Sequence, residues 1–457
     1  MTTPNGAIVF NASTGGSDTA ASGLGPTTAV TGAGASTTAA SAVVTGIDTT
    51  GVSSGDLLWV QSSSGRQFSI IATVDSGTQV TCDDTFANTE GSRTWAIGGK
   101  RATWDNTDSR ALFSSDAKAG FIIETETDQT LTSSITYSVS GNNTDGFIHI
   151  RGASTTTHPV ILQTVAGTHF QGASSSSAGW SFNNLKFTNS AATSSSNNAI
   201  EYRDNNNRYL VSNCIFGDAT NTLNSAISIN GGGNAPFLMI DCEFQYLDYG
   251  PYGTASPTGD RDATYINCIS HNNGSFGFNI CEFDSLINCI AHDNTGPGFL
   301  LEQTGSTQEG CSVSGCIAYN NTGDGIQIEA NHGPASVNNC VLVSNGGYGI
   351  EKDTRSADVT LTYNYFNNNA FYGNTSGEVS ANITTLGPDG HTTLTADPFT
   401  NAASADFTIN TTSGGGADLR TTAVTLGSTE TRPFRWLDTS TGGGATLASD
   451  ARIERLK

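Results

Sequence analysis

The sequence predicts an all-β chain wound as a parallel solenoid, and three observations carry that prediction. Four segments, Cys268–Gly277, Cys289–Gly298, Cys316–Gly325 and Cys340–Gly349, align without a gap, each with an Asn five residues after its Cys (Asn273, Asn294, Asn321, Asn345). The Cys-to-Cys steps of 21, 27 and 24 residues keep whole coils in phase while one loop per coil varies. A bulky apolar residue follows each Gly: Phe278, Phe299, Ile326 and Ile350. Short apolar strokes between Asn and Gly corners, repeating at this period, mark stacked β coils.

Composition agrees and narrows the function. Of 457 residues, 53 are Gly and 13% are charged; Ser, Thr, Asn and Gly separate short runs of Val, Ile, Leu, Phe and Tyr. Such runs suit many short strands joined by polar turns, with no long amphipathic helix among them. The net charge of −22 repels nucleic acid and anionic membrane, so neither is expected as a partner. No stretch approaches the roughly twenty apolar residues that span a bilayer. Met1-Thr-Thr-Pro-Asn-Gly6 leads into Ala7-Ile-Val-Phe10 with neither a basic region nor a sustained apolar one, so no export signal is expected. An exterior-type composition without such a signal fits a virion protein made in a host cytoplasm and released by lysis, and equally a clipped mature chain or a non-classical secretion route.

Along the chain, residues 1–45 are rich in Thr, Ser, Ala and Gly and read as an extended arm. Gly32-x-Gly34 there follows no strand and opens no helix, so it is not a nucleotide loop. Over 46–110, the strokes Val43–Asp48, Asp56–Val60, Phe68–Val74, Gln79–Cys82 and Thr94–Ile97 predict a small β-barrel or sandwich head. Such a head would cap the first coil and protect its strand edges. Coils are expected over 111–410, through Ala119–Glu124, Gly146–Ile150, Trp180–Phe187, Tyr209–Phe216, Phe237–Cys242, the four aligned repeats and Val359–Phe366. Asp397–Ile409 reads as a strand pair closing the C-terminal end, and 411–457 as a tail whose last residues, Ala451–Lys457, are basic.

Six of the nine cysteines, Cys214, Cys242, Cys268, Cys289, Cys316 and Cys340, take one recurring coil position. That pattern predicts a stack of reduced, buried thiols. Zinc ligation needs paired ligands at C-x2-C spacing; Cys311-Ser-Val-Ser-Gly-Cys316 lacks such a pair, and no metal or other cofactor is expected.

The motif Ile266-Asn-Cys-Ile-Ser-His-Asn-Asn273 with Gly277-Phe278, repeated at Ile287–Asn294 with Gly298-Phe299, resembles the right-handed parallel β-helix superfamily, the pectate-lyase-like group that includes phage tailspikes. The resemblance covers about 115–410. It implies a right-handed parallel β-helix behind the small N-terminal β head, and a homotrimer. The repeated residues are packing ones: an Asn ladder satisfies backbone groups at a corner, and Gly permits the turn. Enzymes of the group place catalytic groups on one exposed face. Here Glu302 and Glu329, with Glu282 and Glu351 slightly shifted, follow the second apolar stroke of their coils, and Glu201 extends the line. These carboxylates are the candidate catalytic or cation-binding residues, against the alternative of a solvated acidic face. His271 and His292 recur three residues after their Cys; Tyr319 and Val343 then replace them, as in a packing column. Lyases of the group use a basic residue and bound Ca²⁺, whereas Lys186, Arg203, Arg208, Arg261, Lys352 and Arg355 do not repeat in register with the acids. Asn321-Thr-Gly-Asp-Gly325 reads as a corner. The expectation is therefore a non-catalytic phage virion protein, a capsid decoration or a tail fibre or spike, touching other virion proteins and host glycan. The alternatives are a polysaccharide hydrolase or lyase using the acidic face, and a secreted adhesin.

Overall fold

The computed structural model describes residues 8–12, 29–63, 65–98, 103–105, 110, 112–114, 121–137, 147–153, 157–172, 179–191, 197–202, 208–220, 223–229, 237–251, 263–281, 283–302, 310–329, 335–352, 365–381, 383 and 391–421. The chain forms two compact units, one of residues 1–248 with 252–259 and one of 249–251 with 260–457.

In the N-terminal unit, six antiparallel strands close into a barrel: Val30–Thr37, Val43–Thr45, Leu57–Ser62, Gly65–Ser76, Gln79–Cys82 and Glu90–Ile97. Alternate residues point inward, so Val44, Leu58, Val60, Ile71, Val80 and Ile97 share one core. The barrel starts at Val30, which corrects the reading of 30–45 as extended arm. Two glycines make that first strand possible. A Cβ on Gly32 would sit 2.9 Å from the Trp95 ring, and one on Gly46 would lie 2.3 Å from the Gly34 carbonyl. The outer face of the barrel meets the first coil, where Phe68 lies edge-on to Phe121 at 5.8 Å. Trp104 and Phe113 are buried against Phe170, lining the interior beneath.

The first strand of the coil region also differs from the reading. Ile8–Ala12 pairs in parallel with Phe121–Thr125 across more than a hundred residues of sequence. It thereby covers an edge that a solenoid would otherwise expose. Behind it the coils of this unit build three parallel sheets. Phe187, Phe216 and Phe244 stack through the interior at 5.2 and 5.3 Å.

The C-terminal unit repeats the plan. Its first sheet holds Ala263–Ile266, Ser285–Ile287, Cys311–Ser314, Ala335–Asn338 and Tyr365–Asn367. Its second holds Ile269–His271, Ile290–His292, Ile317–Tyr319, Val341–Val343, Ala370–Tyr372 and Thr392–Thr393. Its third holds Phe278–Ile280, Phe299–Leu301, Ile326–Ile328, Tyr348–Lys352 and Gly377–Val379. Each strand pairs in parallel with its counterpart one coil away, so Tyr265, Leu286, Val313, Val337 and Phe366 form one internal column.

The expected terminal pair exists but does something else. Phe399–Asn401 pairs antiparallel with Asp406–Ile409, and a short helix, Gly416–Thr421, follows. Phe399, Phe407, Ile409 and Leu419 bury against Ile290, Ile317, Val341, Val343 and Ala370. The pair covers the outer face of the second sheet rather than closing an end. Residues 422–457, with the basic terminus, lie outside the described residues. Among the described residues no helix is long and apolar enough to cross a membrane.

Candidate functional site

Three corners define each coil, and the recurring residues sit at them. At the first corner a left-handed residue precedes the thiol. Asn213, Asp241, Asn267, Asn288, Gly315 and Asn339 have φ between 49° and 66°, a conformation that Asn, Asp and Gly adopt most readily. Cys214, Cys242, Cys268, Cys289, Cys316 and Cys340 follow, all buried and none in a disulfide. In the C-terminal unit the four thiols of this stack donate to the carbonyl two residues back, at 3.4 Å for Cys268 and Cys340 and 3.5 Å for Cys289 and Cys316. Burial pushes the Cys214, Cys289 and Cys316 thiols well up from their ordinary value, so thiolate chemistry is disfavoured there.

At the second corner the asparagines form a one-way ladder. Asn273 donates its backbone N–H (3.1 Å) and its Nδ2 (2.9 Å) to Asn294 Oδ1. Asn294 does the same to Asn321, Asn321 to Asn345, and Asn345 to Asn374. The second Nδ2 hydrogen of Asn294, Asn321 and Asn345 reaches back to the carbonyls of Ser270, Ala291 and Ala318 at 3.0–3.1 Å. Buried backbone groups that a bend would orphan are thus paired.

The third corner revises the role of glycine. Gly277, Gly298, Gly325 and Gly349 do not have positive φ; they are needed for close approach. A Cβ on Gly298 would meet Asn321 Nδ2 at 2.8 Å and the Gly325 carbonyl at 2.9 Å. Two ladder members escaped the sequence reading. Asn369 replaces the Cys of its coil, accepting from the Cys340 N–H at 2.9 Å, and Asn374 ends the described ladder. The preserved five-residue offset between them was the available signal.

The acidic line is shorter than expected. Gly298+4 and Gly325+4 place Glu302 and Glu329 at equivalent positions, their N–H groups donating to Ile280 and Leu301 one coil back. Glu351 instead pairs with Gln327, two positions earlier along its strand, because Ile350 is in register with Ile326. Glu282 lies outside the described residues. Glu201 belongs to the N-terminal unit, where it is buried in register with Gln171 and Ser228. The outward positions of the third sheet therefore bring together Glu302, Glu329, Gln327 and Glu351, all half-buried. Asn279 donates Nδ2 to Glu302 Oε2 at 2.5 Å, fixing that carboxylate. Carboxylates and amides in register every coil, about 4.8 Å apart, can accept from the hydroxyls of an extended polymer. Lys352 closes the strand beside Glu351, its ammonium pushed down by burial. Among the described residues no cluster of three His, Cys, Asp or Glu is arranged for a metal ion.

His271 and His292 stack in parallel with ring centroids 4.8 Å apart. His292 is buried against Phe407 at 5.1 Å and its Nδ1 meets Asp293 Oδ2 at 2.7 Å. Tyr319 continues the row against Phe399 and Phe407. This is a packing column beneath the C-terminal strand pair, as its alternation with Tyr and Val implies.

Residues 204–371 match the family described as "Right handed beta helix region". Over that span the chain is a right-handed β-helix, in keeping with the parallel β-solenoid of the structure. Several solved β-helix structures are similar to it. The A-module of mannuronan C-5 epimerase AlgE4 from Azotobacter vinelandii is 12% identical, with 64% of this chain and 96% of that chain covered and a TM-score of 0.33. ORF18 of Geobacillus virus E2 is 13% identical over 60% of this chain, with a TM-score of 0.34, and the match spans 53% of that chain. The tailspike protein gp49 from Pseudomonas phage LKA1 is 14% identical, covering 82% and 65%, with a TM-score of 0.32. What these β-helix proteins do differs from one to the next, and none of it is carried over to this chain. No curated protein matches the sequence.

Proposed function

We propose that this β-helix is a non-catalytic surface component of a phage particle, a capsid decoration or a tail fibre or spike, made in a host cytoplasm and assembled as a homo-oligomer, a homotrimer by analogy with its fold group. The observation that carries the reading is the state of the cysteines. All nine are buried and none forms a disulfide, in a chain whose acidic, Ser- and Gly-rich composition suits an exterior setting. Disulfides accumulate in proteins matured in oxidising compartments, so a reducing birthplace followed by exterior display fits both facts. The recurring Cys, Asn and His residues are also engaged in packing and backbone satisfaction. Immunogold labelling of purified particles with antibody against the barrel tests the proposal. Label on particles is expected; antigen confined to the soluble fraction of the lysate would overturn it.

The third-sheet row supports a second reading, a glycan-directed hydrolase or lyase, because Glu302 and Glu329 share one outward position. Reducing ends released from host glycan by the wild type, and lost in both Glu302→Gln and Glu329→Gln with the fold intact, would establish it. Equal release by wild type and both variants removes those carboxylates.

A further inference from the structure

The three outward faces of the C-terminal unit differ sharply in charge. The second sheet is covered by the chain's own strand pair from Ile290 to Ala370. The third carries Glu302, Glu329 and Glu351. On the first sheet, one outward row runs Thr264, Ser285, Ser312, Ser336 and the next runs Ile266, Ile287, Ser314, Asn338. All eight side chains are half-buried, and none is charged. In the N-terminal unit, the described outward positions of the equivalent sheet carry Glu124 and Arg151, which pair at 3.0 Å, and His149, whose pKa burial pushes down.

This matters because the chain holds 41 acidic residues against 19 basic ones. Charge that dense makes most contacts between identical copies repulsive, whereas interface cores are depleted of charge. A hydroxyl row is compatible with itself, since each group both donates and accepts; Ser312 Oγ already donates to Ser285 Oγ at 3.1 Å. Beside it Ile266 and Ile287 pair in register, and around the corner Ile269 is 37% exposed. We infer that the outward face of the first sheet between Thr264 and Asn338 is the contact surface for a second copy of this chain. The inference rests on the homo-oligomer part of the proposed function and names the face that part requires.

Sedimentation of three proteins tests it: wild type, the double variant Ser285→Glu with Ser312→Glu, and Gln327→Glu on the third sheet. Wild type and Gln327→Glu are expected to associate, and the double variant to associate at least tenfold more weakly with unchanged circular dichroism. A folded double variant that associates like wild type overturns the face while leaving the oligomer standing. A monomeric wild type at every concentration overturns the oligomer and the face together. Should the double variant fail to fold, Thr264→Lys with Ser336→Lys gives the same readout on the same row.

Discussion

Asn321 works in three directions at once. It accepts twice from Asn294, and its Nδ2 donates both to Asn345 and to the Ala291 carbonyl. Asn321→Ala leaves buried groups of three coils without partners and is expected to cost about 3 kcal/mol by denaturant titration. Asn321→Asp rescues little, because a carboxylate cannot donate to Ala291 or Asn345. Gly298→Ala should cost about 1–3 kcal/mol through overpacking, against near-zero cost for an alanine at exposed Gly77, whose added Cβ meets nothing within 4 Å. His169 is a different case. It is fully buried between the Thr188 carbonyl (Nε2, 2.7 Å) and the Asn198 carbonyl (Nδ1, 3.2 Å), and burial pushes its pKa down despite those bonds. The unfolded ring then binds its proton at higher pH than the folded one, so stability is complete above the ordinary value near 6.5 and falls as pH drops below it. The melting temperature should decline between pH 7 and 5, and His169→Gln should flatten that part of the decline. Ladder residues were legible because fixed spacing and burial act together. The role of glycine was not, because turn permission and close approach leave the same letter in the sequence.

The C-terminal strand pair shows how an element can be legible while its place is not. Asp397–Ile409 reads as two strands, but what they cover depends on the outward residues of the second sheet, far off in sequence. Those residues, Ile290, Ile317 and Val341, look like ordinary core positions in single repeats. Phe407→Ala is expected to cost about 3 kcal/mol. Ending the chain at 396 should leave the coils folded but binding a hydrophobic dye more strongly than the full chain does. Strand Ile8–Ala12 was hidden for the same reason. Its apolar run was visible, its partner at Phe121–Thr125 was not. The acidic row failed on register: the Glu residues recur at roughly coil spacing, and only the pairing of Ile350 with Ile326 shows that Glu351 stands beside Gln327.

At the scale of the molecule, stacked coils contact chiefly their neighbours, so one can be removed whole. Deleting residues 290–316 joins Cys289 to Ile317, which stands in register with the deleted Ile290. The product is expected to keep its parallel-β spectrum and a cooperative melt. Deleting half that length should abolish both. The one-way ladder has a further consequence for how the chain is born. Each of Asn294, Asn321 and Asn345 hands its backbone N–H and one amide hydrogen to the asparagine of the coil that follows, and only its other amide hydrogen to the coil before. During synthesis a newly emerged coil therefore waits, its corner unfinished, until the next has left the ribosome, and order advances along the chain one coil behind translation.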